Sequence, residues 1–272
     1  MEHKILFLDL DGTLLNDRKE VTPGNRRAIN GALERGHRIV VASGRPLKSA
    51  LAQARRLELA GEGCYVIAYN GGMIFDCSAG QPVHREALEL ETLYRVYDEA
   101  ARRGLYIQTY DREDVVVEPR CDGAVAGRYC AAIGLDWRRI GDVRRDLSGA
   151  PVKALLIDYR DRESLEDMER WLRRELAGLA DCFFSSRYFL EVVPAGAGKG
   201  SAVTALCRRL GIEIRNAVAA GDESNDISML RAAGVGAAMA NAAPEAKAAA
   251  DYVTERDNNH DGIEEIIERF LL

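Results

Sequence analysis

Short apolar runs alternate with amphipathic segments in the first part of the chain. Ile5–Leu8 and Ile39–Ala42 lack the alternation of a half-exposed strand, as expected of strands covered on both faces in a parallel sheet. Between them, Pro23–Arg35 has the spacing of an amphipathic helix and ends before Gly36. The order of strand, helix and strand predicts a βαβ unit.

The chain returns to this pattern after Pro194. Apolar strands are predicted at Ala217–Ala220 and Val235–Met239, and an amphipathic helix is predicted at Gly200–Leu210. A last amphipathic helix is predicted at Gly262–Phe270. We therefore expect the end of the chain to complete the sheet that the first strands begin.

The middle of the chain has a different pattern. Leu105–Gln108 alternates apolar and polar side chains, and helices and strands follow each other in mixed order, which indicates an antiparallel sheet with helices. The predicted fold class is α/β, a Rossmann-like doubly wound parallel sheet with an inserted α+β cap domain. The predicted boundaries are 1–82 and 190–272 for the sheet domain and 83–189 for the inserted domain.

The composition excludes several classes of protein. The 272 residues are 47% hydrophobic and 29% charged, which is typical of a folded chain of one or two domains rather than a disordered one. The formal net charge is -6 and the arginine doublets are spread among acids, which argues against a nucleic-acid or membrane partner. The six cysteines are far apart, and no segment approaches 18 consecutive apolar residues. We expect a soluble, cytoplasmic protein with reduced thiols, and its oligomeric state stays open.

The sharpest chemical signal is Asp9-Leu10-Asp11-Gly12-Thr13, which directly follows the first predicted strand. Ligands of open parallel sheets bind beyond the carboxyl ends of the strands, so both carboxylates are expected to face a site. Gly12 permits the sharp turn that brings them together. The alternative is a polar turn without chemistry, because Asp, Gly and Thr are common turn residues.

Two further acids follow a later strand. Gly221–Asp226 places Asp222 and Asp226 at the end of Ala217–Ala220, at the same predicted edge of the sheet. Several carboxylates cannot stay ionised side by side without a cation, because like charges raise each other's pKa. Oxygen ligands supplied partly by water or phosphate describe Mg²⁺ better than Ca²⁺ or Zn²⁺. The alternative is a turn in which Asp226 caps the next helix.

Two segments could bind an anion. Ser43-Gly44-Arg45-Pro46 lies between a predicted strand and a helix. The Ser43 hydroxyl, the unhindered Gly44 N–H and the helix N-terminus could together form an anion-binding site. Helix capping by the serine explains the same residues equally well. Lys199 begins another helix, and its surroundings do not match a nucleotide P-loop. It could neutralise a phosphate, or it could be solvated.

In this order, the motifs resemble those of the haloacid dehalogenase superfamily, in its Cof-type branch with an inserted α/β (C2B-like) cap. The resemblance extends over nearly the whole chain. The segments that carry it are Asp9–Leu15, Ala42–Arg45, Lys199-Gly200, Gly221–Asp226, Met229-Leu230, Ala238–Ala242 and Asp261-Gly262.

The resemblance implies a role for each acid. Asp9 would be the nucleophile that forms an aspartyl phosphate, and Asp11 would protonate the leaving alcohol and then deprotonate water. Mg²⁺ would be held by the Asp9 carboxylate, the Asp11 backbone carbonyl and Asp222, with Asp226 in support. For its role as an acid, we expect Asp11 to have a raised pKa, caused by Asp9 and the substrate dianion.

The resemblance also implies a set of phosphate contacts. These are Ser43, Gly44, Lys199, Asn225 and the Leu10 backbone N–H, with Thr13 and Arg45 in support. They would supply the positive charge and N–H donors that phosphoryl transfer requires around the equatorial oxygens.

The predicted function is that of a Mg²⁺-dependent phosphatase acting on a small phosphate ester such as a sugar phosphate, a nucleotide or a cofactor phosphate. A phosphomutase using the same aspartyl phosphate is one alternative, and a non-catalytic phospholigand-binding protein is another. Asn70-Gly71 either lines the entrance of the site or turns a hairpin. The identity of the substrate stays open.

Overall fold

The structure, a computed structural model, describes residues 3–112 and 114–272. Its strands are β1 Ile5–Leu8, β2 Arg38–Ala42, β3 Cys64–Ala68, β4 Met73–Asp76, β5 Gln81–Arg85, β6 Ile107–Asp111, β7 Asp114–Val117, β8 Trp137–Arg139, β9 Ala154–Ile157, β10 Ala180–Ser186, β11 Phe189–Pro194, β12 Ala217–Gly221, β13 Val235–Ala238 and β14 Tyr252–Val253. Its helices are α1 Pro23–Glu34, α2 Leu47–Arg56, α3 Leu90–Arg103, α4 Gly123–Ile133, α5 Val143–Asp146, α6 Arg162–Glu175, α7 Lys199–Leu210, α8 Ile227–Ala232, α9 Pro244–Ala249 and α10 Gly262–Phe270.

The chain divides into two compact units. The first contains residues 1–84 and 198–272, and the second contains residues 85–197. The boundary predicted from the sequence, 189/190, lies within the hairpin that β10 forms with β11. Because β11 pairs with both β10 and β9, its residues belong to the second unit, which extends to Ala197.

An eight-stranded sheet in the order β14-β13-β12-β1-β2-β3-β4-β5 forms the centre of the first unit. The strands from β14 to β3 pair in parallel, and β4 runs antiparallel to β3. The first strand of the chain therefore lies in the interior of the sheet, between β12 and β2. Chain segments that are distant in sequence thus end side by side at one edge of the sheet.

Both faces of this sheet are covered, as the unbroken apolar strands predict. On one face, Ile5 and Phe7 of β1 pack in a core with Val203 and Leu206 of α7 and with Met229 of α8. The helices α1 and α10 pack against each other, with contacts to β2 and β12. This doubly wound arrangement is the fold class that the sequence predicts.

The second unit is built on a six-stranded sheet in the order β10-β11-β9-β6-β7-β8. Its neighbouring strands pair antiparallel except for β7 and β8, which are parallel. The sheet contains a buried ion pair, in which Lys153 Nζ lies 2.8 Å from Glu191 Oε2. Within residues 3–112 and 114–272, no helix has the length and apolar character needed to cross a bilayer.

Candidate active site

The site is built on the loop that follows β1. In the register of the sheet, Leu8 lies opposite Ala220 of β12 and Val41 of β2. The Asp9 N–H continues the pairing by donating to the Ala220 carbonyl at 3.1 Å. The residues that follow β1, β2 and β12 are thereby fixed at the same edge of the sheet, as the sequence predicts.

Lys199 joins two acids from opposite ends of the chain. Its Nζ donates to Asp9 Oδ1 at 2.5 Å and to Asp226 Oδ1 at 2.6 Å, and its side chain is 1% exposed. Lys199 is the first residue of α7, whose N-terminus lies at this edge of the sheet. The sequence left open whether this lysine is solvated, and the structure places it in the interior of the site.

Asp226 also organises its own turn. Its Oδ2 accepts hydrogen bonds from the backbone N–H groups of Asp222 and Glu223, at 3.0 and 3.1 Å. With Lys199 on Oδ1, both oxygens of Asp226 are occupied within the protein. Asp226 is the N-cap residue of α8, but its side chain makes no capping hydrogen bond to that helix; it pairs with the buried lysine and with the preceding backbone instead.

Asp222 is oriented by the loop after β1. Its Oδ1 accepts a hydrogen bond from Thr13 Oγ1 at 2.9 Å. Gly12 lies directly beside it with a φ of +85°, and a Cβ at this position would be only 2.2 Å from Asp222 Oδ2. The Gly12 carbonyl is held by Asn241 Nδ2 at 2.8 Å. A glycine is thus required at residue 12 both by its backbone conformation and by the close approach of Asp222.

The electrostatics of the three buried acids differ from those of surface carboxylates. Burial and the neighbouring Asp226 carboxylate raise the pKa of Asp9 to about 8, against the opposing effect of Lys199. Burial raises the pKa of Asp222 to about 6, although the Thr13 hydrogen bond favours its ionised form. Burial favours the neutral form of Lys199, but Asp226 and Asp9 outweigh it and raise the lysine pKa. These raised pKa values indicate that the one ammonium of Lys199 does not balance the negative charge that the acids carry when ionised.

The donor set fits a hard divalent cation. Oxygen atoms of Asp9, Asp222 and Asp226 lie within 4.8 Å of one another. With all three ionised, Lys199 leaves two negative charges without a counter-charge, which one divalent ion would neutralise. Because both oxygens of Asp226 are already hydrogen-bonded, Asp9 and Asp222 would be the better ligands for such an ion, and Asp226 would support them.

Asp11 has a different environment. Its carboxylate pairs with Lys19 Nζ at 2.7 Å and with Arg45 Nη2 at 3.0 Å, and its side chain is 44% exposed. Burial raises its pKa, but the hydrogen bonds and charges of Lys19 and Arg45 outweigh burial, so the net pKa is lowered. This differs from the raised pKa expected from sequence, because the two cations replace Asp9 as its nearest charged neighbours.

The Ser43 loop follows β2. Its backbone is fixed by a hydrogen bond from the Ser43 N–H to the Ile67 carbonyl at 2.9 Å, and Ser43 Oγ accepts from the Arg45 N–H at 3.2 Å. The helix α2 begins at Leu47 with Pro46 as its N-cap residue. The capping alternative for Ser43 is therefore wrong, because the serine lies before the cap and its hydroxyl binds within the loop.

The candidate residues form two connected groups, and Asn225 lies apart from both in the hydrogen bonding of the described residues. Hydrogen bonds and ion pairs connect Asp9, Thr13, Lys199, Asp222 and Asp226, with the buried Leu10 directly after Asp9.

Arg45 connects the Ser43-Gly44 loop to Asp11. Asn225 is half-buried in the turn Ser224–Asp226. Two further residues at the site, Lys19 and Asn241, have no role predicted from the sequence. Lys19 has no local signal, because its side chain reaches Asp11 from a polar loop, whereas Asn241 lies in the segment Ala238–Ala242 that carries the family resemblance.

Comparison with known proteins gives the class of this chain. A sequence model of the haloacid dehalogenase-like hydrolases matches residues 6–267. The chain belongs to this family.

Individual relatives agree with this result. A Bacillus subtilis (strain 168) protein named "Putative phosphatase YxeH" is 32% identical over 99% of both chains. Another protein of that strain, 5-amino-6-(5-phospho-D-ribitylamino)uracil phosphatase YcsE, is 27% identical over 99% of this chain and 96% of its own. The crystal structure of a haloacid dehalogenase-like hydrolase from Bacteroides thetaiotaomicron has a TM-score of 0.86 at 35% identity and covers 98% of this chain and 99% of that one. The predicted family, fold class and enzyme class, a phosphoric monoester hydrolase, are confirmed.

Proposed function

We propose that this protein is a Mg²⁺-dependent phosphatase that hydrolyses a small phosphorylated metabolite through an aspartyl phosphate on Asp9. The observation that carries the proposal is the position of Asp9, a buried carboxylate at the end of a central strand, bound to Lys199 and next to Asp222. A carboxylate is an established nucleophile in phosphoryl transfer when charge around the phosphate is neutralised. The name of the relative that acts on a phosphorylated ribitylaminouracil supports a small phosphate ester as the substrate class.

The first half-reaction transfers the phosphoryl group to the protein. An Asp9 oxygen attacks phosphorus in line, the bond from phosphorus to the ester oxygen breaks, and the departing alkoxide takes a proton from Asp11. Lys199, which already contacts Asp9, neutralises charge on the phosphoryl oxygens as they approach. Mg²⁺ bound by Asp9, the Asp11 backbone carbonyl and Asp222 would supply further neutralisation of the phosphate.

The second half-reaction restores the protein. The Asp11 carboxylate takes a proton from water, the water oxygen attacks phosphorus, and the bond from phosphorus to Asp9 breaks to release inorganic phosphate. Asp11 must hold a proton in the first step, whereas Lys19 and Arg45 favour its ionised form. We infer that the dianionic substrate draws these cations towards itself and so raises the pKa of Asp11 when it binds.

The remaining residues bind and select the substrate. Ser43, Gly44, Asn225 and the Leu10 N–H would contact phosphoryl oxygens from the loops that follow β2, β12 and β1. Donors held rigidly by the sheet stabilise charge in the transition state without reorganisation. We assign the selection of the leaving group to the second unit, residues 85–197, which would act as an inserted cap domain.

The proposal is tested by phosphate release from a panel of sugar phosphates, nucleotides and cofactor phosphates. Asp9→Asn removes the nucleophile with little change in shape, so hydrolysis should stop while the thermal midpoint stays within a few degrees. Asp17→Asn, a change at an exposed aspartate of the same unit, is the matched control and should retain wild-type activity. Chelation of divalent ions should stop hydrolysis, and added Mg²⁺ should restore it. An active Asp9→Asn variant would refute the nucleophile, and full activity in chelator would refute the metal.

A further inference from the structure

Asn70 has a backbone conformation that few residues adopt. It lies in the short turn Tyr69–Gly71 after β3, with a φ of 55° and a ψ of 33°. Tyr69 before it also has a positive φ, of 54°. Asparagine tolerates the left-handed region better than most side chains, but glycine would adopt it at lower cost. Strained conformations of this kind persist where the surrounding structure enforces them, often at functional sites.

The side chain of Asn70 is buried without a partner. The residue is 2% exposed, and neither Oδ1 nor Nδ2 makes a hydrogen bond within the described part of the chain. A buried amide without hydrogen bonds destabilises a protein, and most buried polar groups in native structures are paired. The left-handed backbone favours asparagine over most residues here, but no hydrogen bond in the described part of the chain compensates for the burial of its carboxamide.

The carboxamide lies against the loop proposed to seat the phosphate. The Asn70 N–H donates to the Ser43 carbonyl at 3.1 Å, and the Tyr69 N–H donates to the Arg45 carbonyl at 2.9 Å. A Cβ at residue 44 would lie 2.7 Å from Asn70 Oδ1 and 3.0 Å from Nδ2. The Asn70 amide therefore occupies the space that the side chain of any larger residue at position 44 would need.

The other side of the turn lies against the start of α7. Gly71 has a φ of +108°, and a Cβ there would be 2.1 Å from the Gly198 carbonyl oxygen. Gly198 is the N-cap residue of the helix that begins with Lys199. The turn is thus fixed between the Ser43-Gly44 loop and the helix that carries the buried lysine.

We propose that Asn70 is a further phosphoryl-binding residue, whose Nδ2–H donates to a non-bridging oxygen of the phosphoryl group seated at Ser43 and Gly44. This inference rests on the proposed function and adds a residue to its site. The bound phosphate supplies the partner that the protein itself does not provide. The unpaired amide and the strained turn are then the cost of holding a donor in place before the substrate arrives.

The test compares two substitutions that alter the amide in different ways. Asn70→Gly removes the side chain and suits the backbone, whereas Asn70→Asp keeps the shape but replaces the donor with a negative charge. Glu58→Gly is the matched control, because Glu58 is an exposed residue of the same unit with a φ of 63°. Binding of inorganic phosphate with Mg²⁺ is measured by calorimetry, together with p-nitrophenyl phosphate hydrolysis and the thermal midpoint.

A substrate-binding amide and a purely structural one give different results. We expect Asn70→Gly to fold with an unchanged or raised thermal midpoint and to bind phosphate about 10- to 100-fold more weakly, the loss of one hydrogen bond to a charged group. Asn70→Asp should bind more weakly still, and Glu58→Gly should bind as the wild type does. Phosphate affinity within twofold of wild type in either Asn70 variant, or a lowered midpoint in Asn70→Gly, would overturn the inference.

The outcome is separable from that of the proposed function. If the wild type binds phosphate but hydrolyses no ester, the proposed function fails while the affinities of the variants still decide the role of Asn70. If the wild type hydrolyses esters and Asn70→Gly is unchanged, only the inference fails. A wild type that does not bind phosphate would overturn the inference directly.

Discussion

Replacing Lys199 with methionine removes the one positive charge between two buried acids. The lysine pairs with Asp9 and Asp226 at 2.5 and 2.6 Å, and its side chain is 1% exposed. Methionine keeps most of the side-chain volume, so the change isolates the charge from the packing. The variant would leave the two carboxylates next to each other in the interior, without the ammonium that they share.

The expected loss of stability follows from this geometry. Breaking a buried ion pair by removing one partner costs about 3–5 kcal/mol, because the other charge stays buried without compensation. For a protein of this size, that corresponds to a fall in the thermal midpoint of about 6 to 20 °C. In the variant, Asp9 can take up a proton because its pKa is already raised. This protonation removes one of the two uncompensated charges and so limits the loss of stability to this range.

Thermal unfolding with and without Mg²⁺ measures the effect and its cause. A divalent cation replaces the missing charge, so Mg²⁺ should raise the midpoint of Lys199→Met more than that of the wild type. Lys153→Met is the matched control, because Lys153 is equally buried and pairs with Glu191 at 2.8 Å in the second unit. It should also lower the midpoint, but the shift caused by Mg²⁺ should equal that of the wild type.

Two results would refute this reasoning. A Lys199→Met variant as stable as the wild type would mean that the Lys199 ammonium does not offset buried negative charge at Asp9 and Asp226. An equal Mg²⁺ shift in both lysine variants would mean that the cation does not bind beside Asp9 and Asp222.

Two further predictions concern the acids themselves. Asp11→Asn should lower the rate about 10²- to 10⁴-fold with an alkyl phosphate, because proton transfer to a poor leaving group is lost; an unchanged rate would exclude that role. The metal-free protein should lose stability as the pH rises from about 4 to 8, because folded Asp9, with its pKa near 8, keeps a proton that unfolded Asp9 releases. Mg²⁺ displaces such protons, so its stabilising shift should be larger at pH 8 than at pH 5.5; a shift independent of pH would contradict the raised pKa.

The sequence predicts most strands of the eight-stranded sheet and the loops at their ends that carry the candidate residues. The strand Ile5–Leu8 and the helix Gly262–Phe270 have the bounds that their patterns predict, because burial on both faces and amphipathic spacing are local signals. The strands β8 and β14 were not predicted, since each has two or three residues and is defined only by pairing with a neighbour. Short segments of this kind have no periodicity to detect.

The contacts of individual side chains were less predictable than the positions of the motifs. The pairing of Asp11 with Lys19 depends on the path of a polar loop, and no spacing in the sequence indicates it. The burial of Asn70 beside Gly44 likewise requires knowing that β3 lies next to β2. A sequence motif predicts that a residue lies at the end of a strand, but the side chains that it contacts depend on the folded paths of the loops.

The interior position of β1 also affects how the protein is made. Its neighbour β12 belongs to the last quarter of the chain, so a nascent polypeptide emerging from the ribosome has β1 and β2 long before it has β12. Until then, β1 presents an unpaired apolar edge that could join a strand of another molecule. A truncation before β12 is therefore expected to cause aggregation, and it would also remove Asp222, one of the acids proposed to hold the metal.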